Sequence, residues 1–239
     1  MSMIKYLKLP VMFNSNLMQD EVRALLLKDW KLHYNTQDYE GEWSALPLRS
    51  AGGSLTNVIA HSGDAVSFAD TVLMQSCPYI EQVTASFLCP KLSVRLLKLK
   101  AGAVIHAHSD KDLYFEEGEM RLHIPIFTNP LVEFFLDDER IWMQEGECWY
   151  MNLSLMHRLN NKSRIDRVHL VIDCEVNDWV KAQFDSPLVS TKKHFAGIEP
   201  KQANVVKLQL AIHELRKMGT VTANEMADKL EQDLKDNCN

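Results

Sequence analysis

SVRLLKLK (93–100), EMRLHIPIF (119–127), LVEFFLD (131–137), RIWMQ (140–144), ECWYMN (147–152) and RVHLVIDC (167–174) are short apolar runs that follow one another closely. Turn-forming residues part them: Ala101-Gly102, Glu116-Glu117-Gly118, Thr128-Asn129-Pro130, Asp137-Asp138 and Glu145-Gly146. Each run is too short for a typical helix and of the right length for a strand, and a regular series of such strands closes into a barrel or a pair of packed sheets. The fold class read here is mainly β with flanking α: a double-stranded β-helix, or jelly roll, of the cupin-like class spanning 91–180.

Outward from this core the pattern changes. Residues 16–30, NLMQDEVRALLLKDW, place Leu17, Val22, Leu25, Leu26 and Trp30 at helical spacing, with Ser15 or Asn16 as the cap. The stretch 35–50, NTQDYEGEWSALPLRS, reads as a strand entered from a loop, and Gly52-Gly53 as a turn. Residues 64–75 and 78–87 read as two shorter helices. Together 1–90 form N-terminal elements packing on the barrel. Residues 181–239 form a C-terminal helical extension, with helices near 203–217 and 222–235 parted by Gly219 and the second capped by Thr222.

The chain has 239 residues, 46% hydrophobic and 24% charged, with a net charge of −6. That balance leaves no electrostatic footprint for nucleic acid or an anionic membrane. No apolar run approaches the roughly 18 residues of a membrane span. The N-terminal MSMIKYLKLPVMF lacks the long apolar segment of a signal peptide. Cys77, Cys89, Cys148, Cys174 and Cys238 are odd in number, widely spread and without a CxxC. Neither a zinc knuckle nor a disulfide framework follows, and a cytoplasmic location is expected.

Chemistry enters with His108-Ser-Asp110, His157 downstream, and Arg167 ten positions later. Alternate residues of a strand share a face, so His108 and Asp110 can meet one ion. Two histidines and one carboxylate occupy three corners of a metal and leave the others open, which is the facial triad of non-haem Fe(II) oxygenases. An arginine one short strand beyond the last ligand is where such enzymes hold the distal carboxylate of 2-oxoglutarate. His106, two residues before His108, competes as a ligand, but a His106/His108 pair would leave Asp110 unexplained. A lone strand histidine is more often a polar surface residue or a satisfied core group; the ordered set favours a metal. In RVHLVIDC, Arg167, His169, Val171 and Asp173 share one face, and in EMRLHIPIF so do Arg121 and His123. An arginine inside a small barrel is costly unless paired, and a bound dicarboxylate would pair it. The bland alternative is that these arginines face solvent or meet acidic neighbours such as Glu119 or Asp173, a reading that suits Arg121 better than Arg167.

Three stretches, LKLKAGAVIHAHSD (97–110), MRLHIPIF (120–127) and MHRLNNKSRIDRVHLVID (156–173), resemble the aspartyl/asparaginyl β-hydroxylase family of Fe(II)/2-oxoglutarate-dependent oxygenases. The likeness is strongest toward the bacterial L-proline cis-4-hydroxylase-like branch. It implies that His108, Asp110 and His157 bind Fe(II), and that Arg167 holds the C5 carboxylate of 2-oxoglutarate with Arg121 and His123 near it. It further implies that Arg95, Trp43 and Arg49 belong to the substrate pocket. The implied activity is hydroxylation of an unactivated C–H of an amino acid, free or in a peptide, using O2 and releasing succinate and CO2. The animal peptide hydroxylases of the family lack the triad carboxylate, so Asp110 sets this chain toward the small-molecule branch.

Segment 111–119, KDLYFEEGE, is the lid expected between the site strands. Its Glu116 and Glu117 either meet a substrate amine or, the preferred reading, belong to a solvated acidic loop. Two alternatives come from other classes: a cupin-type metal- or ligand-binding protein without oxygenase activity, and a regulatory module built on LRKMGTVTANEMADKL (215–230). The C-terminal helices are expected to pack on the barrel or to pair subunits into a homodimer.

Overall fold

The computed structural model describes residues 2–33, 35–58, 67–110, 114–189, 191–196, 212, 215–216 and 220–237. The elements, in chain order, are β1 (Ser2–Met12), α1 (Ser15–Leu25), β2 (Lys31–Leu32), β3 (Tyr39–Glu40), β4 (Trp43–Ala51), β5 (Phe68–Asp70) and α2 (Pro78–Ala85). The barrel strands follow: β6 (Lys91–Leu99), β7 (Val104–His108), β8 (Glu119–Phe127), β9 (Val132–Leu136), β10 (Glu139–Ile141), β11 (Glu147–Met151), β12 (His157–Asn161) and β13 (Arg167–Glu175). The chain continues through α3 (Asp178–Phe184), β14 (Thr191–Ala196) and α4 (Val221–Asn237).

Residues 4–194 form one compact unit; residues 1–3 and 195–239 form a second. In the first, the larger sheet runs β1-β11-β8-β13-β6-β4-β2 with β5 beside β4, and the smaller runs β10-β9-β12-β7-β3. The pairings whose registers are described are antiparallel, as the jelly roll requires.

Strict alternation along the central strands builds two cores. Met120, Leu122 and Ile124 of β8, Val168, Leu170 and Ile172 of β13, and Val94 and Leu96 of β6 join Met18, Val22 and Leu25 of α1, Ile80 and Val83 of α2, and Val180 and Phe184 of α3. This is the helix-covered face, and each such aliphatic side chain contributes about 1.5–3 kcal/mol by leaving water. The opposite face meets the smaller sheet through Trp43, Leu99, Ile105, Phe134, Leu136, Trp149 and Leu159. Arg95, Arg121, His123, Arg167, His169 and Asp173 alternate with the helix-facing aliphatics, so the polar side chains of β6, β8 and β13 project between the sheets.

The ends of several elements differ from the sequence reading. Asn14, not Ser15 or Asn16, caps α1, its Oδ1 accepting from the amides of Asn16 and Leu17. Glu21 of α1 accepts from the amides of Tyr79 and Ile80 at 2.6 and 3.0 Å, supplying the anionic cap that α2 lacks in its own sequence. The helix expected over 64–75 is not one: 64–66 lie outside the described residues, Phe68–Asp70 pairs with β4, and Thr71 bonds the carbonyls of Leu48 and Pro47. Edge pairing outweighs a weak helical period there. The N-terminal strand β1 was not read from the sequence.

In the second unit, Thr220 rather than Thr222 caps α4, accepting from the amide of Ala223. Most of the helix expected at 203–217 lies outside the described residues. Among the described residues no helix is long and apolar enough to cross a membrane. Four cysteines, Cys77, Cys89, Cys148 and Cys174, are free and buried.

Candidate metal centre and anion pocket

His108 ends β7 and His157 begins β12, and the antiparallel register sets them directly opposite each other. Their ring centroids are 4.2 Å apart. Asp110 follows two residues on, fixed by its amide donating to the Leu153 carbonyl at 2.9 Å. One ligand atom from each of His108, Asp110 and His157 lies within 4.8 Å of the others.

The histidines are prepared for that role by their own chain. His108 Nδ1 stands 2.8 Å from the His106 carbonyl and His157 Nδ1 stands 3.0 Å from that of Leu155. A carbonyl can only accept, so each Nδ1 carries a hydrogen and Nε2 is the nitrogen left to meet a metal. Burial first, against the opposing pull of Asp110, lowers the His157 pKa to about 4, so the ring is neutral at neutral pH. Burial alone would raise the Asp110 pKa; Arg121, His157 and His108 outweigh it and hold the carboxyl below its ordinary value. Two imidazole nitrogens and a carboxylate oxygen form a donor set that fits Fe(II).

A bulge decides which histidine takes part. Between the pairs His157–His108 and Leu159–Ile105, β7 spends three residues against two of β12. The extra residue turns His106 off the inner face, where Ile105 and His108 remain. The His106 side chain is 46% exposed, with Nε2 3.3 Å from Glu40.

Arg121 lies behind Asp110. Its Nη1 donates to Asp110 Oδ2 at 2.6 Å and its Nε to Asp173 Oδ1 at 2.6 Å. The guanidinium expected beside the co-substrate is therefore set between two carboxylates. Arg95, expected in the substrate pocket, is buried with Nη2 2.5 Å from Asp173 Oδ2 and Nη1 2.8 Å from the Val58 carbonyl.

Arg167 stands differently. It is 3% exposed and no carboxylate pairs with it among the described residues. Its Nη2 meets His169 Nδ1 at 2.8 Å, and its Nε has no partner. Burial brings its pKa down to about 9, still cationic at neutral pH. Beside it, burial and then the Arg167 charge hold His169 and His123 far below the ordinary histidine range, so both are neutral. Both nitrogens of His123 are buried and unpartnered. A narrow cleft takes Arg167 and His169 into its wall with Thr128, Phe134, Trp142 and Leu159. Phe134 also stacks on His157, with centroids 6.3 Å apart, so the pocket adjoins the metal ligands. A lone buried cation among neutral donors is a site for an anion.

Trp43 is 8% exposed and leans on His108 with centroids 6.2 Å apart. It also stacks on His33, with centroids 3.5 Å apart and planes at 10°. The sequence reading missed His33; a single histidine in a polar stretch carries no signal of its own. Burial first, then the charge of Arg95, lowers its pKa to about 3. Arg49 does not join this group. A bulge in β4 between Pro47 and Arg49 sets Arg49 opposite Val94, a residue of the helix-covered core. Its nitrogens bond Asp70, the Phe68 carbonyl and the Lys91 carbonyl.

Of the expected lid, 111–113 lie outside the described residues. Phe115 stacks on Phe184 at 4.6 Å, Glu116 accepts from the Ile4 amide and Glu117 from the Tyr114 hydroxyl. This part of the segment is fastened to the scaffold, and Glu116 and Glu117 are exposed, as a solvated acidic loop would have them.

The family model described as aspartyl/asparaginyl β-hydroxylase matches residues 12–176. An L-proline cis-4-hydroxylase of Rhizobium meliloti (strain 1021) is 34% identical over 137 residues, covering 56% of this chain and 48% of the relative. An L-proline cis-3-hydroxylase of a Streptomyces species is 24% identical over 141 residues, covering 56% of this chain and 47% of that protein. The chain thus spans about half the length of the curated relatives it matches. Among solved structures, HygX from Streptomyces hygroscopicus, with nickel and 2-oxoglutarate bound, superposes with a TM-score of 0.46 at 10% identity, covering 73% of this chain and 84% of that one.

Proposed function

The chain belongs to the aspartyl/asparaginyl β-hydroxylase family, and from that membership we propose that it is an Fe(II)/2-oxoglutarate-dependent dioxygenase hydroxylating an unactivated C–H of an amino acid, free or within a peptide. The observation that carries the proposal is the neighbourhood of two features: a His-Asp-His group whose histidine Nδ1 atoms are taken by carbonyls, and a buried arginine with no acid beside it among the described residues.

In this reading His108, Asp110 and His157 hold the iron through Nε2, a carboxylate oxygen and Nε2. Arg167 receives the distal carboxylate of 2-oxoglutarate, where a guanidinium offers two parallel donors. Neutral His123 can donate to the same anion without adding charge. The metal and co-substrate supply the oxidising chemistry, with succinate and CO2 as co-products and O2 as oxidant. The protein contributes placement and dryness: Trp43, Phe134 and Leu159 form apolar walls that keep water from the reacting centre. Trp43, with His33 behind it, is the wall proposed to face the substrate, and Arg95 reaches that region only through its ion pair with Asp173. The L-proline hydroxylases among the relatives support an amino-acid substrate. A cytoplasmic setting completes the reading, supported by the four free cysteines.

The test is anaerobic calorimetry of the metal-free protein with Fe(II) and then 2-oxoglutarate. The expected result is 2-oxoglutarate binding that requires metal. Metal binding with no affinity for 2-oxoglutarate would replace this reading with that of a metal-binding cupin without oxygenase activity.

A further inference from the structure

Asp173 has no part in the reaction just described, yet it is fully enclosed, at 0% exposure. Its carboxylate accepts from Ser93 Oγ at 2.6 Å, Arg95 Nη2 at 2.5 Å and Arg121 Nε at 2.6 Å. In strand register, Ser93 and Arg121 are its direct neighbours on either side. From there Arg121 reaches forward to Asp110 Oδ2 at 2.6 Å, while Asp110 Oδ1 lies 3.8 Å from His108 Nε2. The four charged groups, two guanidinium and two carboxylate, sum to zero.

Such a network is an expensive way to hold strands together, because desolvating ions can cost more than their attraction returns. The strands do not need it, since β6, β13 and β8 are already joined by long antiparallel ladders, each with one register shift. What the network adds is direction. A guanidinium is planar and rigid, so fixing its Nε edge on Asp173 fixes where Nη1 points. Nη1 in turn fixes the rotation of the Asp110 carboxylate.

We propose that Asp173 is a positioning residue of the metal centre: by anchoring Arg121 it turns Asp110 so that Oδ2 is held by Arg121 and Oδ1 alone faces the metal-binding point. The inference rests on the metal-site reading above. Outer partners of metal ligands commonly change metal affinity by about 10–100-fold when removed.

The test uses Co(II), whose visible bands report ligand geometry, titrated into the full chain. Asp173→Asn removes the charge of the anchor. Arg95→Met combined with Asp173→Leu removes the anchor while keeping the interior charge-balanced and filled, a replacement buried ion pairs tolerate. Both variants are expected to raise the Co(II) Kd by about 10–100-fold and to change the band shape, with the double variant folded by circular dichroism. Ser93→Ala leaves every charge in place and gives the same test in milder form, with a Kd rise of about 2–5-fold and a band change in the same sense. A folded double variant, or a Ser93→Ala protein, with the wild-type Kd and spectrum overturns the positioning role. Absence of Co(II) binding by the wild type, or equal binding by His108→Ala, overturns the metal-site reading instead.

Discussion

A guanidinium closed away from water without a carboxylate is unfavourable by several kcal/mol, and among the described residues none pairs with Arg167. Arg95 and Arg121, on neighbouring strands of the same sheet, both have Asp173. The difference separates them: two arginines belong to the protein's internal charge balance, and the third is the one proposed to take the co-substrate carboxylate. Arg167→Ala is therefore expected to weaken 2-oxoglutarate by about 10–100-fold, the worth of charge-assisted hydrogen bonds. Fe(II) affinity should change by less than about threefold, because Arg167 lies off the triad. Calorimetry with each ligand separately checks this, and equal loss of both would remove Arg167 from the co-substrate role. The pairing of Arg121 with Asp173 was among the alternatives the sequence offered; that Arg95 shares the same carboxylate was not legible, because it depends on strand order.

At the scale of elements, bulges govern the site. Strict alternation would put His106 and His108 on one face of β7; the extra residue in β7 separates them. His106→Ala should leave Co(II) affinity within about twofold of wild type, while His108→Ala should abolish binding, since one removes a surface residue and the other a ligand. Comparable losses in both would mean that the bulge does not select. The β4 bulge explains Arg49 in the same way, and neither could be read from residue types because a bulge is a property of the pair of strands. Turn geometry gives a further expectation. Gly146 has φ +82°, and a Cβ there would lie 2.3 Å from the Phe13 carbonyl. Gly146→Ala combines a left-handed conformation, costing about 1–2 kcal/mol, with a backbone clash that must be relieved by moving β1 or β11. The urea midpoint should fall with m unchanged; an unaltered midpoint would show that the turn has room.

For the molecule as a whole, four enclosed histidines set the response to acid. His33 and His157 have pKa values lowered to about 3 and about 4, and His123 and His169 are also held well below the ordinary range, burial being the first cause in each. In the unfolded chain each titrates near 6.5. As pH falls below about 6.5 the unfolded state takes up protons that the folded state refuses, so stability decreases, by up to about 1.4 kcal/mol per pH unit for each histidine. For His157 the loss runs from about 6.5 to about 4, and for His33 to about 3. Asp173, held below its ordinary value against burial by Arg121 and Arg95, adds a further loss below about pH 4. Metal-free protein should show urea midpoints dropping steeply between pH 7 and 5; a flat profile there would mean that these rings are protonated in the fold.

The barrel itself was legible because its strands keep a period of two with punctuated turns, and the ordered pattern picked out His108, Asp110 and His157, which the fold brings together. The contributions of β1, β5 and His33 were not, because an edge strand or a lone ring has meaning only beside the partner that long-range folding brings to it. The central claim concerns chemistry, and succinate release is its most direct measure. Purified protein with Fe(II), 2-oxoglutarate and O2 should release succinate that rises with at least one free amino acid or short peptide, in step with a hydroxylated product seen by mass spectrometry, and His108→Ala should abolish both. Metal-loaded, 2-oxoglutarate-bound protein that forms no succinate above the His108→Ala level across the whole panel would contradict the account.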